Sequence, residues 1–566
     1  MAPIAARRAD APSTAISIGR GSVTPIDHNT LTYTWTHGTK GLVLLYGIFA
    51  ATSFAGLKQG RASTRAYVLW PFTTLVTLFV VGLASEFILS ALSKLIGETS
   101  IAKSVAALAL YVAGGFLGGV FWARRGRPLA AIERRGAMLF DGQAAQRETR
   151  KLRAKTDAQS MQLTVAGVAV PFEDEVKHFK LLGTTGTGKS TAIRELLHGA
   201  LNRGDRAVIA DPDGGYLSRF YDPERGDVIL NPFDARSAKW DLFAELRNTY
   251  DVDELAQAFI PDRGSDPTWT NFARTLFSAI TSQAQIAGIR DVGELYRLLV
   301  AALKEELVAL AAGTPAAPFL EAGSDKLFQG TRSTVTAAVK SLDFVRRQSG
   351  ALVSVREWIK SGSGVLFLPY QADQISALKT VISIWMRLAI FQTLSLGEGD
   401  YRTWFAVDEL DALGAINGLP DALTRLRKCG GRCVLGLQSI AQASTNYGMG
   451  PAQTIIENCG NTMILRCSAS EGGGTAKYAS RLIGEREIVR PVRSVSHSSG
   501  PTFGSSHDTR GHSEQTATEL AVMAAEIEQL SDRTGFLKFA SQPGWMRVTF
   551  PVYNSEKVAT PFVPVQ

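Results

Sequence analysis

Cysteine and histidine are both scarce in this chain, which has four cysteines and seven histidines among its 566 residues. The four cysteines, Cys429, Cys433, Cys459 and Cys467, all lie in the C-terminal half. Such sparse usage indicates reduced thiols in a cytoplasmic setting and not a disulfide framework. Cys429 and Cys433 have a C-x3-C spacing, but no His pair or second Cys pair is suitably placed to complete a zinc site.

Charged side chains are also sparse before residue 123, where much of the hydrophobicity of the chain lies. Residues 70 to 92 and 101 to 122 are each long enough to cross about 30 Å of hydrocarbon at about 1.5 Å per helical residue. Residues 41 to 57 are marginal in length and fit either a third span or an interfacial helix. These segments are internal and lack an early cleavage signal, so we expect membrane anchors, with buried core helices as the alternative.

The charges that flank the apolar segments predict the orientation of this anchor. Five arginines follow the second span: Arg124, Arg125, Arg127, Arg134 and Arg135. The connection at 93 to 100 carries only Lys94 against Glu98. Because positive residues collect on the cytoplasmic side, the C-terminal bulk is predicted to be cytoplasmic, while the side of the N-terminus stays open. The net charge of +8 is compatible with an anionic partner, but it does not distinguish phospholipid from nucleotide or nucleic acid.

A glycine-rich run lies between a strand-like stretch and a helical pattern. It matches the complete G-x-x-x-x-G-K-[ST] motif with Gly183, Thr184, Thr185, Gly186, Thr187, Gly188, Lys189, Ser190 and Thr191. In this context the backbone N–H groups and the helix N-terminus face the phosphates of a nucleotide. Lys189 is predicted to reach the β and γ oxygens, and the Ser190 hydroxyl to bind Mg²⁺. ATP and Mg²⁺ are therefore the expected cofactors.

A second motif is an apolar run that ends in paired carboxylates, from Tyr401 to Leu410. A run of this kind is typical of a buried parallel strand. Asp408 at its end is predicted to hold the Mg²⁺ shell through water, and Glu409 to polarise the attacking water as general base. Together with the glycine-rich loop, these residues predict an enzyme that hydrolyses ATP.

A third strand is predicted over Arg432 to Leu437, and Gln438 follows it on the same edge of the sheet. Gln438 is a candidate for contacting the γ-phosphate or positioning water, and a strand-capping amide is the alternative. Further strands are predicted at 207–211, 227–231, 364–369 and 462–466. Because helical stretches separate these strands, the predicted fold class is α/β with a mainly parallel sheet.

The order of these segments predicts several domains, as the length of the chain also favours. We expect an N-terminal tail, a transmembrane anchor, a juxtamembrane linker and a nucleotide-binding motor that is interrupted by an all-α insertion. Their predicted ranges are 1–40 for the tail, 41–122 for the anchor, 123–172 for the linker, 173–245 with 351–566 for the motor, and 246–350 for the insertion. The Ser-, Gly- and His-rich residues 493 to 517 are predicted to form a mobile loop.

With these motifs in place, the chain resembles the type IV secretion coupling proteins of the TraD and TrwB kind, the membrane-anchored motors of bacterial conjugation. The similar stretches are GTTGTGKST at 183–191, RAVIADPDGGYLSRF at 206–220, DVILNPFDARSAKWDLFAEL at 227–246, WFAVDEL at 404–410, LTRLRKCGGRCVLGLQS at 423–439 and LIGEREI at 482–488. The likeness extends over most of residues 175 to 555, and it includes the insertion and the arrangement of the anchor.

This resemblance implies properties that composition and spacing do not. It implies a RecA-like motor in a homohexameric ring, placed by a multi-pass anchor in the bacterial inner membrane with the motor in the cytoplasm. It also implies DNA as cargo, carried as a relaxase nucleoprotein, and type IV secretion channel components as partners. Arg427 falls where the family places an arginine thought to act on the nucleotide of a neighbouring subunit, and a surface arginine is the alternative.

Three other functions remain open from the sequence. Some relatives recruit protein effectors to a secretion channel without moving DNA. A chromosome translocase of the FtsK type is a second alternative, although it normally carries more anchor helices and a C-terminal winged-helix domain. A nucleotide-gated adaptor that does not hydrolyse ATP is the third, and the intact Glu409 argues against it. Since the sequence ends at residue 566, we expect the chain to lack the long acidic C-terminal extension of some relatives, which leaves the selection of cargo open.

Overall fold

The computed structural model describes most of the chain: residues 39–60, 62, 64–96, 100–125, 132–155, 162–262, 267–399, 401–470, 473–499, 506–553 and 555–565. The chain separates into two compact units by its internal contacts. One unit is drawn from residues 1–132 and 490–515, and the other from residues 133–489 and 516–566.

The first unit contains the apolar helices. Their bounds are Thr39–Gln59, Thr64–Val68, Trp70–Ile96 and Ser100–Arg125. Within the described residues, Val105–Ala123 is long and apolar enough to cross a membrane, and Trp70–Ala84 is a shorter apolar segment. Ile375–Ser395 passes the same test of length and composition, but its residues are mostly buried among the helices and strands of the second unit.

Glycines bring two of these helices into close contact. A side chain at Gly56 would lie 2.2 Å from the carbonyl oxygen of Phe116, and one at Gly119 would lie 2.1 Å from that of Ser53. Only a residue without a side chain permits backbones to approach so closely, as is common between membrane helices. The segment at 41 to 57, marginal by its length, is therefore part of a helix that packs tightly against Ser100–Arg125.

The second unit is built on a large sheet. The chain forms strands β1 Ile132–Gly136, β2 Met138–Phe140, β3 Thr164–Val165, β4 Val168–Ala169, β5 Phe179–Leu182, β6 Arg206–Pro212, β7 Val228–Ile229, β8 Lys239–Trp240, β9 Leu352–Val353, β10 Val365–Tyr370, β11 Thr403–Val407, β12 Gly431–Leu437, β13 Asn461–Ile464, β14 Glu485–Ser499, β15 Ser506–Leu520, β16 Thr534–Lys538 and β17 Gly544–Thr549. Ten of these strands form one sheet in the order β2-β17-β16-β13-β5-β12-β11-β6-β10-β7. The sheet is parallel from β13 to β7, and the β13–β16 and β16–β17 pairs are antiparallel.

Helices cover both faces of this sheet. Phe179 and Leu181 of β5 belong to one hydrophobic cluster, whereas Leu182 belongs to the other, and β6 divides its residues in the same way. Every residue of β5, β10, β11 and β12 is buried. This explains why these strands are mostly apolar, since a parallel strand that is covered on both faces has no polar side. Lys180, Thr403 and Arg432 are the buried polar exceptions. The predicted α/β class with a mainly parallel sheet is confirmed.

Further helices complete the second unit. Those outside the segment from 246 to 350 are Gly142–Lys155, Lys189–Asn202, Leu217–Phe220, Val355–Ser361, Ile375–Ser395, Leu410–Leu413, Leu419–Leu426, Ile440–Tyr447, Met449–Asn458, Gly474–Ile483 and Ala524–Glu528. Between β8 and β9 the described residues contain helices and no strand. These helices are Thr249–Phe259, Thr268–Ile286, Val292–Val300, Lys304–Leu310, Ala317–Leu320, Asp325–Ala338 and Leu342–Val345.

The prediction of a mobile loop at 493 to 517 is wrong for residues 493–499 and 506–517, while residues 500–505 lie outside the described residues. Strand β14 extends to Ser499 and β15 begins at Ser506, and both belong to a three-stranded sheet in the order β1-β14-β15. The polar composition suggested a loop because it offers little apolar surface to bury. Strand pairing, however, is held by backbone hydrogen bonds, which polar residues make as well as apolar ones.

His178 joins the beginning of β5 to two other elements. Its Nδ1 accepts a hydrogen bond of 3.1 Å from the backbone N–H of Cys433, and its Nε2 donates one of 2.9 Å to the carbonyl of Leu423. Burial lowers the pKa of this imidazole to about 4. The folded protein therefore holds the neutral form across the range in which an unfolded chain would take up a proton.

We predict that this histidine makes stability depend on pH. The unfolded state binds the extra proton below pH 6.5, so the free energy of unfolding should fall by about 3 kcal/mol between pH 7 and pH 4 through this group. In denaturation of the detergent-solubilised protein, His178→Asn should remove that part of the slope, since asparagine keeps an acceptor and tolerates the positive φ of 52°. His198→Asn, at a partly exposed position, is the control. An unchanged slope in His178→Asn would contradict the assignment.

Candidate functional site

The glycine-rich loop connects β5 to the helix Lys189–Asn202. Its first residue, Gly183, donates its N–H to the carbonyl of Leu437, and Thr184 donates to that of Arg466, so the loop begins between two neighbouring strands. Gly186 and Gly188 have φ values of +78° and +117°, which residues with a side chain rarely adopt. The loop therefore curls back over the start of the helix, as the motif requires.

Lys189 lies within this loop. Its Nζ donates to the carbonyl oxygens of Gly183 and Thr184 at 2.5 and 3.1 Å. Burial lowers the pKa of the Lys189 ammonium, while Asp408 and Glu409 oppose that shift. Ser190 occupies the next position of the helix and is partly buried. The sequence-predicted lysine and carboxylates are therefore electrostatic neighbours, although more than 200 residues separate them in the chain.

Asp408 directly follows β11, the strand between β12 and β6. Its Oδ2 accepts a hydrogen bond of 2.9 Å from the hydroxyl of Tyr216. The other oxygen, Oδ1, is buried and has no hydrogen-bond partner among the described residues. A buried carboxylate oxygen without a donor is costly unless a cation or water meets it, so Oδ1 has the chemistry of a magnesium-shell ligand.

Glu409 and Gln438 are hydrogen-bonded to each other. Gln438 donates from Nε2 to Oε1 of Glu409 at 3.0 Å, and its own Oε1 accepts from the Thr185 hydroxyl at 3.2 Å. The amide therefore connects the carboxylate after β11 to the glycine-rich loop after β5. Burial, followed by the charge of Asp408, raises the pKa of Glu409. A partly buried carboxylate with a raised pKa is the type of group that acts as a general base.

Two acidic residues that the sequence analysis did not assign also lie at this edge. Asp411 accepts backbone hydrogen bonds from Gln438 and Ser439 at 3.2 and 3.4 Å, which fixes the turn after β12. Asp211 lies in β6 and accepts from the backbone of Tyr216 and Leu217. The sequence did carry a signal for Asp211, because this carboxylate ends a predicted strand. The structure places that strand, β6, next to β11. Tyr216 offered no comparable signal, because its contact spans 192 positions.

Arg427 is separated from these residues by the length of a strand. It lies in the 3-10 turn Arg427–Cys429 before β12, whereas Gln438 lies after β12. Seven strand residues at about 3.3 Å each separate the two ends by roughly 20 Å. Arg427 is exposed, and the charge of its guanidinium contributes to the lowered pKa of His178 at the beginning of β5. It therefore lies at the opposite edge of the sheet from the glycine-rich loop of its own chain.

Gly436 permits the close contact between β12 and the residue after β11. A Cβ at this position would lie 1.9 Å from the carbonyl oxygen of Asp408 and 3.1 Å from its Oδ1. The two strands pair in parallel with Val407 opposite Leu435. The position of Asp408 therefore depends on the absence of a side chain at the neighbouring strand position.

Comparison with known proteins places this chain in one family. Residues 162–551 match the family model described as "Type IV secretion-system coupling protein DNA-binding domain". The coupling protein TraD of Escherichia coli (strain K12) is 30% identical over 419 residues, which is 72% of this chain and 57% of TraD. The chain therefore spans a little over half the length of that relative.

Solved structures agree with the sequence comparison. The bacterial conjugative coupling protein TrwBdeltaN70, in its unbound monoclinic form, has a TM-score of 0.66 and 30% identity, covering 77% of this chain and 98% of its own. The plasmid coupling protein TrwB in complex with ADP and Mg²⁺ gives the same score and identity, covering 78% and 99%. These neighbours confirm the RecA-like fold that the sequence led us to expect.

We predict that Gly436→Ala disturbs the site through packing alone. The added methyl group overlaps the Asp408 backbone, so the free energy of unfolding should fall by about 1–3 kcal/mol, and Asp408 should move. Thermal denaturation of the two proteins side by side measures the change. Gly450→Ala is the matched control, since a Cβ there meets nothing within 4 Å and alanine suits its helix. Equal stability of the two variants would contradict the prediction.

Proposed function

This chain belongs to the type IV secretion-system coupling protein family, and we propose that it is a membrane-anchored ATPase that moves DNA to a type IV secretion channel during conjugation. The observation that carries the proposal is the Glu409–Gln438–Thr185 connection. It joins a general-base candidate to the phosphate-binding loop of a motor fold. The family model supports DNA as the cargo, and the site supports hydrolysis as the source of work.

The residues of the site suit a magnesium nucleotide. TrwB is described in complex with ADP and Mg²⁺ and with a non-hydrolysable ATP analogue. In this chain Lys189 would supply a cation for the phosphates. The Ser190 hydroxyl would supply oxygen to the metal shell, as would Oδ1 of Asp408, which has no hydrogen-bond partner among the described residues. Bound Mg²⁺ would neutralise phosphate charge. Residues Gly183 to Thr191 would surround the phosphates with backbone N–H groups.

Within this site, the protein residues divide the work of hydrolysis. Glu409 takes a proton from the attacking water, and its raised pKa brings its basicity closer to neutral pH. Gln438 contacts Glu409 through its amide nitrogen and the glycine-rich loop through its amide oxygen. It can therefore respond to nucleotide bound in the loop and orient the attacking water. The lysine and the backbone amides stabilise the charge that develops on the phosphoryl oxygens.

The partners follow from the family and from the apolar helices. We propose a multi-pass protein of the bacterial inner membrane, with the motor in the cytoplasm and the subunits assembled as a homohexamer. DNA bound by a relaxase is the proposed cargo, and components of the secretion channel receive it. The tail, anchor, linker, motor and insertion ranges given for the sequence remain the proposed domain division. Secretion of protein effectors is the alternative that the same motor would also support.

The test of the function is ATP hydrolysis by the full-length protein in detergent, with and without single- and double-stranded DNA. Stimulation by DNA supports the proposal, because a translocating motor couples turnover to its cargo. Indifference to DNA with a response to a candidate effector would favour protein secretion. Absence of hydrolysis under both conditions would favour a nucleotide-gated adaptor.

We predict that substitutions of Lys189 and Glu409 impair the ATPase in different ways. Lys189→Ala should lose both nucleotide binding and turnover. Glu409→Gln should bind ATP while hydrolysing it orders of magnitude more slowly, because the amide is a poor base. Binding of a fluorescent ATP analogue and release of phosphate measure the two properties. Glu528→Gln, at an exposed position, controls for the loss of a carboxylate, and near-normal turnover in Glu409→Gln would remove it as the base.

We also predict that Arg427 acts on the site of a neighbouring subunit, since it lies at the far edge of its own sheet. Arg427→Ala should keep ATP binding and assembly but lose about 10³-fold in turnover, as for other arginine fingers. Arg425→Ala, exposed on the same segment, is the matched control.

Mixing the variants separates action in trans from action in cis. In a mixed ring, a subunit with Arg427→Ala keeps its Glu409, and a neighbour with Glu409→Gln can supply the arginine. Recovery of turnover on mixing supports a shared site at a subunit interface. If verified mixed assemblies remain inactive, the trans assignment is wrong.

A further inference from the structure

The segment after β6 turns sharply back toward the sheet. Asp213 and Gly214 both have positive φ, +56° and +61°, so the chain reverses direction within two residues. Asp211, which is fully buried, accepts N–H hydrogen bonds from Tyr216 at 2.9 Å and Leu217 at 2.7 Å. One carboxylate therefore fixes both backbone groups at the start of the helix Leu217–Phe220.

This fixed turn carries the Tyr216 ring into the interior. Tyr216 is 2% exposed, and its hydroxyl donates to Oδ2 of Asp408 at 2.9 Å. Asp408 is 4% exposed, and Oδ2 is thereby occupied while Oδ1 has no partner among the described residues. The two oxygens of the same carboxylate thus have different surroundings.

We propose that Tyr216 is a positioning residue that holds the Asp408 carboxylate with one oxygen bound by the protein and the other presented to the Mg²⁺ shell. This inference rests on the proposed ATPase function and concerns the same site. A free carboxylate rotates about its last bond and can offer either oxygen or both. The phenol hydrogen bond selects one orientation before any metal arrives, and such supporting contacts commonly contribute 10–100-fold to metal affinity or activity.

A second contact holds the same segment from outside. The carbonyl of Ser218 accepts N–H hydrogen bonds from Val558 and Ala559, at 2.8 and 3.2 Å. Arg219 donates from Nη1 to the carbonyl of Ser555. The segment from Tyr216 to Arg219 is therefore held by hydrogen bonds to two parts of the chain, Asp211 and residues 555–559. A positioning hydrogen bond needs such support, because a mobile donor would not fix the orientation of its acceptor.

The alternative is that the hydrogen bond only satisfies two buried polar groups. That role predicts a loss of stability without a change in metal binding. The positioning role predicts a change in metal binding that a structural role would not cause. The two can therefore be separated by measuring the metal directly.

The experiment compares full-length wild-type protein, Tyr216→Phe and Tyr221→Phe in detergent. Tyr221 follows on the same segment, is partly buried, and its hydroxyl makes no hydrogen bond among the described residues, so Tyr221→Phe is the same chemical change without the contact. Mn²⁺ binding in the presence of a non-hydrolysable ATP analogue is measured by electron paramagnetic resonance. The rate of ATP hydrolysis is measured as a function of Mg²⁺ concentration, and thermal denaturation verifies folding.

Tyr216→Phe should weaken Mn²⁺ binding about tenfold and raise the Mg²⁺ concentration for half-maximal rate by a similar factor. Tyr221→Phe should match the wild type in both measurements. A folded Tyr216→Phe protein with wild-type metal affinity overturns the inference, even if its thermal midpoint is lower. If the wild type itself does not hydrolyse ATP, the proposed function fails, and the Mn²⁺ measurement still decides the role of Tyr216.

If Tyr216→Phe does not fold, Arg219→Ala decides the question. It releases the outer contact of the segment at Ser555 without touching Asp408. The same metal-specific shift is expected, smaller than for the loss of the hydroxyl. Metal affinity equal to that of the wild type in folded Arg219→Ala would then contradict the inference.

Discussion

Parallel pairing of β5, β12, β11 and β6 is the constraint on which the site depends. Val407 lies opposite both Leu435 and Ala210, and Leu437 lies opposite Leu182. The residues at or just after these carboxyl ends therefore come to one edge: the glycine-rich loop, Gln438, Asp408 with Glu409, and Asp211. A shift of one residue in any of these pairs would turn every side chain of that strand to the opposite face. The buried apolar strands thus fix the position of the polar site.

Much of this arrangement could be predicted from the sequence. The motif from Gly183 to Thr191 predicts a curled backbone, because its glycines can adopt positive φ. A strand that is buried on both faces is predicted by a mostly apolar run. Because the carboxyl ends of parallel strands meet, the expectation that Gln438 lies on the same edge as Asp408 and Glu409 followed from their positions after the strands. The structure adds the contact itself, a hydrogen bond of 3.0 Å between Gln438 and Glu409.

Other features depend on tertiary contacts that no local pattern contains. Tyr216 contacts Asp408 only because the sheet places β6 next to β11 and the turn at Asp213 and Gly214 directs the ring inward. The described parts of the segment at 493 to 517 were predicted wrongly, because composition indicates how much apolar surface a segment can bury, whereas a strand pair is held by its backbone.

The attachment of the last described residues has a mechanical consequence. Backbone hydrogen bonds join Val565 to Phe233 and Val563 to Ala235. Others join Val558 and Ala559 to Ser218, two residues after Tyr216. These two attachments act in series. Tension applied at Val565 would be borne first by the hydrogen bonds to Phe233 and Ala235. It would reach the Ser218 attachment only after those bonds and the hydrogen bond from Arg236 to the carbonyl of Thr560 have opened. We therefore expect these attachments to shield the orientation of Asp408 from movements of the last described residues.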